Sequence, residues 1–230
     1  MHKIKDFYRA EKLKFYNSKV ESMIKSKQEY KYYLEADRIA LGKKRKKPRL
    51  FLDEVWVFQR LLRKVEYYKN CKNSLFYRPY YYYLYLKYHL LGIFLGFLIE
   101  PNVFGPGLSI SHPGTIVVNG NTKVGENCRI HVCTVIGTKA GAGYEDLTPK
   151  IGNNVYIGPG AKIFGDIEIA DGIAIGANSI VNKSFTEPNI GIAGIPAKKI
   201  NDRGSEKLVP KELLITLKKD YPKIFENLEE

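Results

Sequence analysis

The sequence of 230 residues predicts a solenoid of parallel β-strands, with an α-helical part before it and a short C-terminal helix after it. The first observation is an apolar residue at every sixth position between residues 112 and 185, interrupted once. The members of this series are Val118, Val124, Ile130, Ile136, Ile151, Ile157, Ile163, Ile169, Ile175 and Val181. The second is that glycine follows many of them, which is typical of turns between short strands. A repeat of six fits a strand plus a turn, and three consecutive hexads would form the three sides of one triangular coil.

The break in the series predicts a loop. Between Ile136 and Ile151 the interval is 15 residues instead of six, so nine additional residues protrude as a loop from Thr138 to Lys150. Insertions on one face of a solenoid commonly carry binding functions. A last amphipathic helix, from Pro210 to about Asp220, is expected to cover the open end of the coils. The predicted domains are 1–100, α-helical; 101–200, the solenoid; and 201–230, a helical tail.

Residues 1–100 carry helical spacing throughout. Apolar side chains at 3-4-3 spacing between Leu13 and Met23 indicate a first helix. Ser26 and Glu29 form a capping box for a second helix, which Gly42 ends. Asp53 is placed to cap a third helix through its side chain.

The predicted fourth helix is apolar on nearly all sides. Pro79 suits its first turn, and we expect the helix to run from Tyr80 to about Leu98, with Pro101 ending it. Two interpretations stay open for this helix. It is either buried at a subunit or domain contact, or makes a peripheral contact with a membrane, aided by the basic surface beside it.

The net charge of +13 resides in the helical part. Residues 1–100 contain 23 Lys and Arg against 10 Asp and Glu, whereas residues 101–230 contain 14 of each kind. The basic run from Lys43 to Arg49 is predicted to be an exposed linker. Because no aromatic side chains alternate with it to stack on bases, we expect no nucleic-acid partner.

Cysteine usage and hydropathy indicate a cytoplasmic protein, with the inner face of the membrane as the alternative location. Cys71, Cys128 and Cys133 have unrelated spacings, which give neither a disulfide framework nor a zinc motif. The N-terminus lacks the apolar core of a secretory signal. The longest nearly uncharged run, Leu90 to Ile99, is too short to span a bilayer.

Two histidines lie in the repeat. His112 stands where the hexad register requires an apolar residue, and such violations are where function is expected to override packing. One coil of three hexads places Ile130 above His112, so the neighbouring His131 should lie near the same corner, since stacked strands are about 4.8 Å apart. The alternatives are structural histidines, a nucleophilic Cys133, or a metal site. No third ligand recurs at a fixed spacing, so we expect no metal.

Together, the repeat, the loop and the closing segment Gly194–Lys198 resemble the hexapeptide-repeat acyltransferases. The block from Ser111 to Ile200 is most similar to serine O-acetyltransferases and their relatives in capsular polysaccharide biosynthesis. The resemblance implies a left-handed parallel β-helix and a homotrimer, which could pair into a hexamer. It also implies that acetyl-CoA, the co-substrate, binds between neighbouring prisms.

The same resemblance implies roles for individual residues. His112 matches the family's general base, which takes the proton of the acceptor hydroxyl as its oxygen attacks the thioester directly. Glu100 aligns with the aspartate that orients this base. His131 replaces an apolar residue, so it either contacts the acceptor or holds His112. The implied acetyl-CoA contacts are Gly137 and Thr138 at the thioester arm; Gly158, Pro159 and Ala177 along the pantetheine; and Lys183 and Lys198 at the phosphates.

One departure from the serine enzymes decides the expected acceptor. Their Arg-His-Pro-Lys-Ile motif, which serves the amino-acid acceptor, is Leu147–Ile151 in this chain. We therefore expect an acetyl-CoA-dependent O-acetyltransferase that acts on a sugar hydroxyl in surface-polysaccharide biosynthesis. The alternatives are serine O-acetylation for cysteine biosynthesis and a non-catalytic β-helix that serves as a scaffold or binding module.

Overall fold

A computed structural model of the chain describes residues 23–49, 51–139 and 147–222. Most of the first predicted helix and residues 140–146 of the predicted loop lie outside the described residues.

The helical part contains three α-helices and one 3-10 turn among the described residues. They are α1 (Lys27–Ala40), α2 (Glu54–Cys71), the turn Leu75–Tyr77 and α3 (Arg78–Leu95). The predicted start of α1 is confirmed, because the Ser26 hydroxyl accepts a hydrogen bond from the Glu29 amide at 3.0 Å. Gly42, at φ +66°, follows the end of this helix as expected.

Two expectations for the helical part are wrong. The Asp53 side chain makes no capping hydrogen bond to α2. Its carboxylate instead pairs with Lys43 and Arg45, each at 2.9 Å, so these two residues of the basic run are fixed against it rather than free. In addition, α3 ends at Gly96, which has φ +80°, and the chain continues directly into a strand. A side chain there would lie 3.1 Å from the Gly114 backbone, so glycine allows the helix to end against the first coil.

The solenoid follows α3 as a series of short strands. The strands are β1 (Phe97–Ile99), β2 (Ser109–Ile110), β3 (Ile116–Val118), β4 (Lys123–Val124), β5 (Arg129–Ile130), β6 (Thr134–Gly137), β7 (Lys150–Ile151), β8 (Tyr156–Ile157), β9 (Lys162–Phe164), β10 (Glu168–Ile169), β11 (Ala174–Ile175), β12 (Ile180–Val181), β13 (Gly191–Gly194) and β14 (Ala197–Asn201). Helix α4 (Lys211–Lys219) follows.

These strands form three sheets, one on each side of a triangular prism. The sheets have five, three and six strands, in the orders β1-β3-β6-β9-β12, β10-β7-β4 and β14-β13-β11-β8-β5-β2. Pairing is parallel throughout except between β13 and β14, where the chain reverses to end the stack. The predicted solenoid of parallel strands is thereby confirmed.

The hexad residues form the core of the prism. Each of the ten predicted positions is at most 1% exposed. Between the strands β7 to β9 and the strands β10 to β12, partners are 18 residues apart, as in Ile157 with Ile175. The first coil differs, because Ile110 pairs with Ile130, 20 residues further along the chain. The first coil is therefore two residues longer than the predicted coil.

Helix α2 covers the open edge of this first coil. The Gln59 side chain donates to the Leu108 carbonyl at 2.6 Å and accepts from the Ile110 amide at 3.1 Å, as a neighbouring strand would. Arg63, fully buried, donates to Asp37 and to the Phe104 carbonyl, both at 2.8 Å. Burial raises the pKa of the Asp37 carboxyl group, and the attraction of Arg63 opposes that rise. The helical part and the first coil thus share one satisfied polar network.

Helix α3 buries only one side within the chain. Leu84, Tyr88, Gly92 and Leu95 are buried, whereas its other side exposes Leu90, Ile93 and Phe94. Over the part of the chain that the structure describes, no helix is both long and apolar enough to cross a membrane.

Candidate active site

The corner that joins the six-stranded sheet to the five-stranded sheet carries both repeat histidines. We call it the histidine corner, and it consists of residues 111–115, 131–133, 158–161 and 176–179 on successive coils. Each of these turns contains one residue with positive φ. Those residues are Gly114, Cys133, Gly160 and Asn178.

The turn of the first coil is longer than the turns stacked on it. Five residues separate Ile110 from Ile116, whereas three separate their partners Ile130 and Thr134. The two additional residues take His112 out of the apolar register, because Ile116 and Val118 fill the interior in its place. The expected register, with Ile130 above His112, is therefore wrong, because Ile130 pairs with Ile110 and His112 is exposed.

The predicted proximity of the two histidines is confirmed. The ring centroids of His112 and His131 lie 6.4 Å apart, at an interplanar angle of 54°. The His131 ring also lies 5.1 Å from the Tyr156 ring, which the next coil supplies. The two imidazoles are therefore close enough to act on one small ligand.

His131 is held beside the first-coil turn by a polar contact. Its Nε2 atom lies 3.2 Å from the hydroxyl of Ser111, which directly precedes His112. Burial lowers the pKa of His131, and the positive charge of Arg129 and the nearby His112 lower it further. These three effects all favour the neutral form of the His131 imidazole.

Arg129 also reaches this turn, and the sequence did not single it out. Its Nε atom donates to the Ser111 hydroxyl at 3.3 Å, and its Nη1 atom donates to the Leu208 carbonyl at 3.3 Å. The available signal was its position directly before Ile130 and two residues before His131. Flanking positions of a solenoid strand face outward, however, and charged residues there are usually only solvated.

A cavity of about 890 Å³ opens next to His112. Its walls are the end of α1, the start of α2, residues 109–113 of the first coil, Arg129, and the C-terminal segment 206–210. The helical part, the solenoid and the tail all contribute to it. A small acceptor could therefore reach His112 from a partly enclosed space.

The structure does not bring Glu100 to His112. The amides of Gly114 and Ile116 bond to the carbonyls of Leu95 and Gly96, which places the His112 turn at the beginning of β1. Glu100 follows the other end of that strand, where its side chain lies against Gly120. The expectation that Glu100 orients the histidine is therefore wrong, because β1 separates Glu100 from the turn that carries His112.

The predicted acetyl-CoA contacts fall on two corners. Gly158, Pro159 and Ala177 lie on the histidine corner, one and two coils above His131. Gly137, Thr138 and Lys183 lie at the other edge of the five-stranded sheet, where the chain turns into the three-stranded sheet. We call this second edge the loop corner.

Lys198 lies apart from both groups. It sits on the closing strand β14, opposite Ala193. Its side chain is exposed, as is that of Lys183, whose ammonium lies 5.3 Å from the Phe185 ring centroid. Both lysines are thus accessible to an anionic ligand.

Packing explains one of the site glycines and not the other. A Cβ atom on Gly158 would lie 2.7 Å from the Ile175 carbonyl oxygen, so the stacking of the coils alone requires glycine there. A Cβ atom on Gly137 would have nothing within 4 Å, and its φ is not positive. The open space at Gly137 suits the close approach of a ligand or of another subunit.

No group of three or more His, Cys, Asp or Glu residues is arranged to hold a metal ion within the ranges that the structure describes. Two imidazoles, an arginine and backbone amides are the groups that the described residues of this corner offer to a substrate.

Relatives of the chain are known. No protein-family model matches it. It is 38% identical over 95 residues to the serine acetyltransferase of Buchnera aphidicola subsp. Schizaphis graminum, covering 41% of this chain and 36% of the relative. The crystal structure of serine acetyltransferase from Brucella abortus matches with a TM-score of 0.57 and 28% identity, covering 78% of this chain and 72% of that one.

The same Brucella abortus enzyme is also known in complex with coenzyme A, and that structure matches with a TM-score of 0.54 and 26% identity over 76% of this chain and 68% of that one. This chain spans less than half the length of the curated relatives that it matches. The expectation of a sugar acceptor in polysaccharide biosynthesis is contradicted by these relatives, which are serine acetyltransferases. The replaced Leu147–Ile151 motif was therefore an insufficient ground for assigning a sugar acceptor.

Proposed function

We propose, because the chain belongs to the serine O-acetyltransferase-like branch of the hexapeptide-repeat acyltransferases, that it transfers an acetyl group from acetyl-CoA to the hydroxyl of L-serine. The observation that carries the proposal is the exposed His112 on its lengthened turn, 6.4 Å from a second imidazole and open to a cavity. Two imidazoles at this distance suit proton transfer.

His112 acts as the general base. It takes the proton of the acceptor hydroxyl while the oxygen attacks the thioester carbonyl carbon of acetyl-CoA. A carbon–oxygen bond forms, the carbon–sulfur bond breaks, and the proton held by His112 passes to the departing thiolate. His131 contacts the Ser111 hydroxyl, and this contact helps to fix the turn that carries His112.

The open surface at Gly137 supports binding of acetyl-CoA at the loop corner. Gly137 and Thr138 would meet the thioester arm, and Gly158, Pro159 and Ala177 would follow the pantetheine. Exposed Lys183 and Lys198 would bind the phosphates, because ammonium groups are strong partners of phosphate. Backbone amides of the glycine-bearing turns would stabilise the negative charge that develops on the carbonyl oxygen.

A homotrimer with left-handed coils accounts for the two separate groups of contacts. In a cyclic trimer, each interface joins two different surfaces of the chain. The histidine corner of one subunit can therefore face the loop corner of its neighbour. Acetyl-CoA would then lie between subunits, with the base supplied by one and the thioester contacts by the other.

The test is acceptor-dependent release of coenzyme A. The purified protein is mixed with acetyl-CoA and L-serine, thiol release is followed, and the rate without serine is subtracted. We expect turnover between about 1 and 10³ s⁻¹. Acetyl-CoA binding without any serine-dependent release would overturn the proposal and favour the non-catalytic scaffold. The same preparation of His112→Ala, which lacks the base, serves as the negative control.

A further inference from the structure

Arg129 is a half-buried cation at the mouth of the site. Its backbone lies on β5, paired with Ser109 on one side and Tyr156 on the other, so the strand sets its position. Its guanidinium is near the hydroxyl of Ser111, which is also the partner of His131. The Ser111 hydroxyl thus contacts both Arg129 and His131, and Ser111 directly precedes His112 in the chain.

The charge of Arg129 is not neutralised within the described part of the chain. Its two hydrogen bonds go to a hydroxyl and a carbonyl, and neither partner is a carboxylate. Burying a guanidinium in part without a counter-ion is costly, and such a group is ready to receive an anion. Arginine presents several donors in a planar fork, which matches the two oxygens of a carboxylate.

The other cations that line the cavity are less suited to this role. Lys43 is already paired with the Asp53 carboxylate at 2.9 Å. Lys207 is exposed on the C-terminal segment, so its ammonium group is solvated. At the loop position where the serine enzymes carry an arginine, this chain has Leu147.

We propose that Arg129 binds the carboxylate of the acceptor amino acid, and that Ser111 holds the guanidinium beside His112 for this purpose. The assignment rests on the proposed function. In L-serine, only a short stretch of the molecule separates the carboxylate from the hydroxyl. When Arg129 binds the carboxylate, the hydroxyl is therefore directed toward the two imidazoles. The carboxylate-binding cation of this chain therefore lies on the coil next to the base and not on the loop.

The test compares two acceptors that differ only in charge. L-serine carries a carboxylate, and L-serinamide replaces it by a neutral amide. The kcat/KM of each acceptor is measured for the unaltered protein, Arg129→Gln and Arg129→Lys. Arg203→Gln is the matched control, because Arg203 is exposed and does not line the cavity.

We expect Arg129→Gln to lower kcat/KM for L-serine by about 10- to 100-fold, the worth of one charge-assisted hydrogen-bonded pair. Activity with L-serinamide and the KM for acetyl-CoA should stay unchanged, so the preference for the carboxylate disappears. Arg129→Lys keeps the charge without the fork and should lose less. This variant also gives the same comparison if the glutamine variant does not fold.

Each other outcome overturns the assignment. An equal loss with both acceptors would mean that Arg129 has a structural role, and no loss with either would mean that another group binds the anion. If the unaltered protein turns over L-serine and the Arg129 variants do so equally well, only the Arg129 assignment fails. If the unaltered protein does not acetylate L-serine at all, the proposed function fails and the assignment fails with it.

Discussion

Two corners of the prism are built on the same backbone turn and use it differently. The asparagine corner joins the three-stranded sheet to the six-stranded sheet through residues 105–108, 125–128, 152–155 and 170–173. Each turn again contains a residue with positive φ, directly before a buried apolar residue. Those pairs are Gly107 with Leu108, Asn127 with Cys128, Asn154 with Val155, and Gly172 with Ile173.

The two corners differ in where their polar groups find partners. At the asparagine corner, the Asn153 side chain accepts from the Glu126 amide at 2.9 Å, and Asp171 accepts from the Asn153 amide at 2.7 Å. Each coil thus satisfies the one before it. At the histidine corner, the exposed His112 and the unpaired charge of Arg129 face a cavity. The hydrogen bonds within the asparagine corner stabilise the stack of coils. At the histidine corner, His112 and Arg129 are left to interact with a substrate.

The largest expected effect separates the two corners by activity. His112→Ala should lower kcat by about 10²- to 10⁴-fold, because the step loses its general base. The melting temperature should not change, since the imidazole is exposed. Steady-state kinetics and thermal unfolding of the same preparation check both parts. His89→Ala, which removes an exposed histidine from α3, is the matched control. An equal loss in both variants would count against a special role for the corner.

The second effect separates the corners by stability. Gly172→Ala places a side chain at φ +71°, with its Cβ atom 2.1 Å from the Asn189 Oδ1 atom. We expect a loss of about 1–3 kcal/mol in the free energy of unfolding, as for other strained backbone positions. Denaturant titration measures it, and kcat at a temperature where the variant is folded should stay normal. A catalytic defect in the folded variant would show that the asparagine corner also serves the reaction.

The smallest effect extends the comparison to the loop corner. Gly137→Ala should change stability by no more than about 0.5 kcal/mol, because a Cβ atom there meets nothing in the chain. The KM for acetyl-CoA should nevertheless rise several-fold, since the space is proposed to receive the thioester arm. Binding calorimetry measures the affinity for acetyl-CoA, and chemical unfolding measures the stability. A stable variant with unchanged affinity would remove Gly137 from the proposed site.

The regular part of the fold was predictable because burial imposes a strict pattern on it. Every hexad residue is buried as expected, and the Ser26 cap forms at the predicted position. The two histidines also meet, although the register behind that prediction was wrong. Ile110 and Ile116 are themselves six residues apart. The two additional residues of the turn therefore leave no irregular apolar spacing between these two positions by which they could have been recognised.

The errors concern polar residues whose partners are not specified by the hexad spacing or by helical periodicity. Asp53 resembles a helix cap, yet its carboxylate binds three basic residues of the preceding run instead of the amides of α2. Arg129 looks like a solvated flanking residue until Ser111 and Leu208 are placed next to it. Periodicity determines which side of a strand faces the core, but it carries no information about which polar groups meet outside the core.

The contact of Gln59 with the first coil has a consequence for how the chain acquires its shape. A solenoid is built by adding each coil to an existing edge. Gln59 offers a donor and an acceptor to Leu108 and Ile110 as an earlier coil would, so we expect α2 to serve as a template for the stack. Helix α2 leaves the ribosome before any hexad does. The fold therefore has a starting surface ready at the end that is made first, and growth can proceed in one direction from the coil that carries His112.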